Sequence, residues 1–417
     1  MITEQGAARN ERRPSRGEVE QAPRPRDEVA TGGSKPGEVR TDDDRDALRE
    51  VATEFVRREV APYLQEWEDA QSIPRELHRA AARQGLLGIS FPESVGGEGG
   101  DLLDTVALQE AMFAAGASSG LMAGLFTHGI ALPHIAAHGT PDLVDRYVRP
   151  TLAGDLIGAL GITEPGGGSD VGNLRTTAVR DGDFYVVNGA KTFITSGVRA
   201  DFVTTAVRTG GPGAGGVSLL VVDTDSPGFT VDRSLAKMGW HCSDTAELSF
   251  TDVRVPVGNL VGEEDAGFWY IAEQFVVERM GLAVHGYGIA ARSLALTKDY
   301  CQQRDTFGQP LVKRQVVRHK LVEMHRQVEV ARAYTHAVAA RHVAGESVIA
   351  EACLAKQTAC DAATYVCDQA VQLHGGTGYM HGTEVERHYR DARLLPIGGG
   401  ATEVLTDLAA KLLGYTG

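Results

Sequence analysis

The chain has 417 residues, a formal net charge of −14 and 42% hydrophobic residues. That size and apolar share allow two or three packed domains, and the acidic balance argues against non-specific binding to nucleic acid or to an anionic membrane. The five cysteines, Cys242, Cys301, Cys353, Cys360 and Cys367, include no Cys-x-x-Cys pair, which points to free thiols in a reducing compartment and to no metal centre.

Residues 1–40 are rich in Arg, Glu, Pro and Gly and lack an apolar run, so a disordered tail is expected there. They resemble neither a secretory signal nor, with so many acidic residues, a mitochondrial transit segment, and the expected compartment is the cytoplasm. Residues 41–158 read as a helical domain. Leu48, Val51, Ala52 and Phe55 recur at helical intervals, with Asp42 or Asp43 as the expected cap. A glycine-rich loop at 92–100 interrupts the pattern, which resumes through Leu108, Met112 and Phe113, and a further helix is expected from Thr140-Pro141-Asp142. The apolar stretch 120–137 is broken by His128, Pro133 and His134, so it is not read as a membrane span.

Residues 159–264 change to short β-rich runs. Residues 184–187 and 192–195 flank Asn188-Gly189 and read as a hairpin, and 202–207, 217–222 and 246–250 add strands to a small β-barrel or sandwich. Residues 265–417 return to helices, with long periodic stretches at 269–303, 315–343 and 347–373 that suggest an antiparallel four-helix bundle. Cys353, Cys360 and Cys367 repeat every seven residues on one helical face and read as small core residues. The fold class is α+β, mostly α: helical domain, central β domain, helical bundle.

The run Thr163-Glu164-Pro165-Gly166-Gly167-Gly168-Ser169-Asp170 combines a rigid bend, three unhindered amides and short hydroxyls. It serves equally as a surface turn or as a cradle for a planar or phosphorylated cofactor. A formal Gly-x-Gly-x-x-Gly at Gly211, Gly213 and Gly216 lies between strands, without the helix N-terminus that a dinucleotide's pyrophosphate needs, and is read as a hairpin loop. Neither a His-Glu-x-x-His zinc motif nor a Gly-x-Ser-x-Gly elbow occurs. Three further clusters resemble ligand loops: Arg304-Asp305-Thr306-Phe307-Gly308, Gln372-Leu373-His374-Gly375-Gly376-Thr377-Gly378-Tyr379, and Ile397-Gly398-Gly399-Gly400-Ala401-Thr402-Glu403.

In this order, on a helix, β, helix layout, the four clusters closely resemble the acyl-CoA dehydrogenase family from about residue 41 onward. The resemblance implies FAD, a homotetramer built as a dimer of dimers (or a homodimer), and removal of two hydrogens across Cα and Cβ of an acyl-CoA or acyl-carrier-protein thioester. It also implies an electron-transferring flavoprotein as oxidant. Thr163 and Thr195 would contact the flavin, and Ser169 would sit where cofactor and substrate meet. Phe193 stands where the family often has Trp. Arg304, Thr306 and Phe307 would receive the phosphate and adenine end of FAD. Gln372 and Gly376 would reach it from the neighbouring subunit, and Glu403 matches a further adenosine-side position. Ala401 replaces the usual Thr, removing one hydrogen bond of the family's pattern. Arg279 and Gly400 would join Ser169 in holding substrate.

The chemistry requires a base that takes the α-proton while the β-hydrogen leaves as hydride. In much of the family this is a Glu at the position of Gly399. A minority, resembling the isovaleryl- and long-chain acyl-CoA dehydrogenases, places it on a long helix directly before an Arg, which matches Glu278-Arg279. Phe275 and Leu282 lie three before and four after Glu278, and Ile271 and His285 one heptad to either side, which puts the carboxylate on the apolar stripe. Desolvation there raises a carboxyl pKa toward neutrality, as a general base requires. The other reading of such a position is a buried Glu paired with arginine. Gly399 keeps one use, a backbone N–H donated to the thioester carbonyl. Two alternatives accompany this assignment: a flavin oxidase or monooxygenase on the same scaffold, marked by fast reoxidation with oxygen, and a non-catalytic FAD-binding homologue, marked by no substrate-dependent flavin reduction.

Overall fold

The computed structural model describes residues 40–415. The expectation of a disordered tail over 1–40 lies outside the described residues, apart from Arg40.

The first helix, Asp42–Phe55, is capped by Thr41 and not by Asp42 or Asp43. The Thr41 hydroxyl accepts the Asp44 N–H at 3.2 Å, and the Asp44 carboxylate accepts the Thr41 N–H at 2.8 Å. This reciprocal pair needs a hydroxyl and a carboxylate three residues apart, and Thr41 and Asp44 supply that spacing. Leu48, Ala52 and Phe55 are buried, whereas Val51 remains on the exposed side. The helix packs on Leu102–Ala114, itself capped reciprocally by Asp101 and Asp104. Thr140 caps the Pro141–Leu143 turn, with Pro141 in the first helical position. The apolar stretch near 120 is broken into Ser119–Leu125, His128–Ala131 and Pro133–His138. No single helix among the described residues is long and apolar enough to cross a membrane, and the one pair that passes by length and composition together is bent by 52°. Leu121, Leu125, Leu132 and Ile135 of this stretch are fully buried in the protein core.

Seven strands form one sheet: β1 Gly158–Gly161, β2 Thr177–Asp181, β3 Phe184–Thr195, β4 Phe202–Arg208, β5 Val217–Asp223, β6 Phe229–Ser234 and β7 Thr245–Pro256. β5 pairs antiparallel with one edge of β4. The other edge of β4 carries β1 in parallel and meets β2 at Thr177, after which the sheet continues through β3 and β7 to β6.

The expected hairpin at Asn188-Gly189 is not a hairpin. β3 runs continuously through it, and the turn lies one strand earlier, at Gly182-Asp183 between β2 and β3. Asn188 spends its side chain across the ladder instead: its amide donates to the Asp252 carboxylate at 3.0 Å and its carbonyl accepts the Asp252 N–H at 2.9 Å. Gly189 is required by close approach, since a Cβ there would lie 2.6 Å from Thr176 Oγ1. The register with β7 shifts at this point and again between Lys191 and Ile194, so the Asn-Gly pair makes a bulge that bends the strand.

Among the described residues the C-terminal part holds five α-helices, Gly267–Gln303, Gln315–Val343, Ile349–His374, Glu384–Ala392 and Thr402–Leu412, one more than the expected four. Met280, Ala283, Val284 and Tyr287 of the first are buried against Ala331 and Val338 of the second and Ala355 and Ala359 of the third. Cys353, Cys360 and Cys367 are buried free thiols on other faces of the third helix: Cys353 packs with Leu405 and Ala409, and Cys360 and Cys367 join the core built by the N-terminal helices. The start of the 37-residue helix leans on the sheet, where Phe275 and Ile162 pack on the same apolar cluster. That cluster ties the strand end before Thr163 to the helix that carries Glu278.

Candidate active site

Glu278 sits midway through the first half of the Gly267–Gln303 helix, half-buried, with buried neighbours Ile271, Val276, Arg279 and Met280. Its carboxylate has no hydrogen bond and no ion pair among the described residues. Arg279 does not pair with it. That guanidinium is buried, lies 4.9 Å from the centroid of the Phe275 ring and leaves its Nε without an acceptor. The paired-glutamate reading therefore has no partner to rest on. Burial pushes the Glu278 pKa above the ordinary carboxylate value, while the charges of Arg279 and Lys356 pull it part of the way back.

The loop 398–400 faces this carboxylate. Gly399 has φ +61°, and a Cβ built on it would lie 2.1 Å from Leu282 Cδ1 and 3.4 Å from Glu278 Oε1. A side chain at 399 is thus excluded by the residue one turn beyond Glu278 as well as by its own backbone. The Gly399 N–H has no acceptor among the described residues. Lys356 closes the loop from beneath: its Nζ donates to Gly398 O at 2.5 Å and Gly400 O at 2.6 Å. Gly281, half-buried one turn after Glu278, meets only Gln109 Nε2 of Leu102–Ala114, at 3.6 Å from an added Cβ, so room remains between these helices beside Glu278.

The run 163–170 follows β1 and folds back on itself. Glu164 and Gly167 exchange backbone hydrogen bonds at 3.1 Å in both directions, which takes the Gly167 amide out of the three counted as free and leaves those of Gly166 and Gly168 without backbone acceptors. Beneath the turn, Lys191 is wholly buried and donates to Glu164 Oε1 at 2.8 Å and to Ile162 O at 3.0 Å. Glu164 also accepts the Arg175 N–H at 2.6 Å and the Thr176 N–H at 2.9 Å. Thr192 N–H donates to Thr163 O at 2.9 Å, seating Thr163 against the second bulge of β3. In that bulge Phe193 takes φ +61° and turns its ring outward, 68% exposed, while Thr195 stays half-buried and Ser169 is exposed. A non-glycine residue at this angle is strained, and strain of this kind collects at ligand sites. An outward aromatic ring beside free amides and hydroxyls suits a flat, partly apolar ring system with acceptor atoms at its edge, and these residues fit a flavin.

The other expected cofactor residues lie elsewhere in the chain. Arg304, Thr306 and Phe307 occupy a small hairpin after the long helix, where Asp305–Thr306 pairs with Gln309–Pro310. Phe307 is 98% exposed, and Arg314 donates to Thr306 O at 2.7 Å from beneath. Gln372 and Gly376 are exposed at the end of the Ile349–His374 helix. Tyr300 Oη donates to His374 O at 3.2 Å, so both groups share one end of the bundle. Glu403 is exposed in the first turn of Thr402–Leu412. Arg304 lies 26 residues beyond Glu278 on one helix, about 39 Å at the α-helical rise. Gln372 lies 16 residues beyond Lys356, about 24 Å.

Two buried lysines were absent from the expected site, Lys191 and Lys356. Both carry a sequence signal in hindsight. Lys191 lies among strand residues that are otherwise apolar or small, and Lys356 is the one charged residue on a helix face of Ala, Cys and Val. A lone lysine in such a setting is rarely buried without a partner.

Family descriptions match nearly the whole described chain: acyl-CoA dehydrogenase N-terminal domain over residues 42–155, middle domain over 159–253 and C-terminal domain over 265–414. The long-chain specific acyl-CoA dehydrogenase of Rattus norvegicus mitochondria is 38% identical over 372 residues, covering 88% of this chain and 86% of that protein. The crystal structure of a probable acyl-CoA dehydrogenase from Mycobacterium abscessus is 62% identical with a TM-score of 0.89, covering 90% of this chain and 99% of that one. A glutaryl-CoA dehydrogenase from Mycobacterium smegmatis, solved with FADH2, is 25% identical with a TM-score of 0.84, covering 90% and 96%. The chain belongs to the acyl-CoA dehydrogenase family, flavoprotein oxidoreductases that act on CH–CH bonds.

Proposed function

From that membership we propose that the protein carries out α,β-dehydrogenation of an acyl thioester with FAD as resident cofactor and Glu278 as base. The observation that carries the reading is the unpaired Glu278 carboxylate beside Gly399, whose added Cβ would lie 3.4 Å from Glu278 Oε1 and whose amide has no acceptor among the described residues. Glu278, desolvated and without an ion pair, takes the α-proton. The Gly399 N–H donates to the thioester carbonyl, where negative charge develops as that proton leaves. Arg279, Ser169 and Gly400 line the approach. When bound, FAD supplies the acceptor for the hydride that leaves the β-carbon.

The cofactor's ring would lie on Thr163, Ser169, Phe193 and Thr195. The separations along the helices bear on its other end. An Arg304 hairpin about 39 Å from Glu278 does not serve the flavin beside that same Glu278. Arg304, Thr306 and Phe307, with Gln372 and Gly376, would instead reach the adenosine half of FAD held by another copy, with Glu403 as a further contact. The reading thus requires a homodimer at least, and a tetramer as a dimer of such dimers. An electron-transferring flavoprotein is the proposed oxidant.

The deciding experiment is an anaerobic titration of the flavin spectrum with acyl thioesters of graded length on both coenzyme A and carrier protein. Bleaching by one class supports dehydrogenation and identifies the carrier. Absence of bleaching by every member refutes it, and rapid reoxidation of the reduced flavin by oxygen assigns an oxidase instead.

A further inference from the structure

Lys356 is 1% exposed on a helix face whose other buried positions are Ala, Cys and Val. Removing an ammonium from water costs several kcal/mol, and a Leu or Met would fill the same space without that cost. Among the described residues no carboxylate hydrogen-bonds to Lys356. Its partners are the carbonyls of Gly398 and Gly400, at 2.5 and 2.6 Å. In a planar trans peptide the C=O of one residue and the N–H of the next point in opposite directions. A Gly398 carbonyl turned down onto Lys356 therefore turns the Gly399 N–H up, away from the Ile349–His374 helix.

We propose that Lys356 is a positioning residue of the active site: by holding both carbonyls it aims the Gly399 amide at the thioester carbonyl, and its charge acts on Glu278 from the neighbouring helix. The inference rests on the dehydrogenase reading for its chemistry, though its hold on the loop does not. The charged groups concerned are few. Glu278 is faced by Arg279 from its own helix and by Lys356. Lys356 is faced by Cys353 and Cys360 on its own helix and by Glu278 and Arg279 across from it.

The test compares Lys356→Met and Lys356→Arg with the parent, all loaded with FAD. Peptide-resolved hydrogen exchange over 394–405 reads the anchor without any reaction, and Lys356→Met is expected to speed exchange there by about tenfold or more. Stopped-flow flavin reduction by a reactive thioester should fall by roughly 10²-fold, the cost of losing one oxyanion donor, with half-saturation changed less than threefold. The acid limb of that rate should move to higher pH in Lys356→Met and return in Lys356→Arg, a response that a purely structural lysine would not give. Reduction at the parent rate with an unmoved limb overturns the proposal. Should Lys356→Met fail to fold or to hold FAD, the shorter, neutral Lys356→Gln decides: parent-like exchange over 394–405 with a parent-like rate and limb overturns the proposal, and faster exchange with a slowed rate supports it. If no thioester reduces the parent itself, the dehydrogenase reading fails, and unchanged exchange in the variants would still refute the anchor.

Discussion

Glu278 and Gly399 meet at van der Waals range: a Cβ on residue 399 would lie 3.4 Å from Glu278 Oε1, and 2.1 Å from Leu282 Cδ1. Leu282, one turn beyond Glu278, leaves no room for a side chain at 399, so of the two positions only the helical one supplies a carboxylate, the base proposed above. Glu278→Gln preserves shape and removes the base. It should retain yellow, FAD-loaded protein and lose about 10³-fold in the rate of flavin reduction, within the usual range for a positioned general base. Rapid-mixing reduction within tenfold of the parent would reassign the base.

Gly399→Ala tests the opposite side of the same contact. The new methyl meets Leu282 Cδ1 at 2.1 Å, and the residue must also hold φ +61°, which costs an L-residue on the order of 1–2 kcal/mol. Flavin content should be unchanged and the reduction rate should fall at least tenfold, because the amide is displaced. Leu282→Ala in the same chain should recover part of the loss by opening the space. An inert double variant would show that displacement by Leu282 is not the cause.

The pH dependence follows from the direction of the Glu278 shift. Burial raises its folded pKa above the ordinary 4.5, and the base works only when deprotonated, so the reduction rate should rise with pH along a limb centred above that value. Arg279→Met removes a charge that lowers the pKa and should move the limb higher still. Stability runs the other way. The folded state binds the proton more tightly than the unfolded chain, so stability falls as pH rises from about 4.5 through the folded value. Glu278→Gln should flatten that slope and be the more stable protein above it. Denaturant midpoints at several pH values check both signs.

The helix, β, helix order was legible because periodicity and turn chemistry are local. Thr140-Pro141 and the three long helices lie where their patterns place them. The errors came from competition that no local pattern contains. Asn188-Gly189 is a turn signal in isolation, but Asp252, 64 residues on, captures the Asn188 side chain and leaves a bulge. Thr41 displaced Asp42 and Asp43 as cap because Asp44 completes a reciprocal pair with it. The half-buried setting of Glu278 could be read from the apolar stripe on either side of it. Lys191 and Lys356 could not be given roles, since each acts on carbonyls brought to it from distant residues.

The Glu164–Lys191 pair should govern flavin retention. Burial pushes the Lys191 ammonium down to about 8, against the pull of Glu164, and removing one partner leaves the other buried and uncompensated. Lys191→Met should cost about 3–5 kcal/mol, the range for breaking a buried pair, and should loosen the turn that carries Thr163. We expect the variant to emerge largely colourless and to regain flavin absorbance only with excess FAD. Glu164→Gln keeps acceptor and donor atoms in place and should show the weaker defect. Full flavin occupancy in Lys191→Met at dilute concentration would separate the pair from cofactor binding.

The distance from Glu278 to the Arg304 hairpin yields a prediction about assembly. If Arg304 serves the neighbouring protomer, a chain with Glu278→Gln still donates a good Arg304 to its partner, and a chain with Arg304→Ala still has a good base. Each homo-oligomer alone should be impaired, the first in reduction and the second in FAD affinity. A hybrid assembled from the two, purified through different tags, should contain one intact site and one doubly defective site per pair. Its flavin reduction should therefore recover to about half the parent amplitude, since one of two sites is competent. Service within one chain predicts no recovery, because every site in the hybrid would then carry one of the two lesions. The amplitude of the fast phase in single-turnover reduction distinguishes the outcomes.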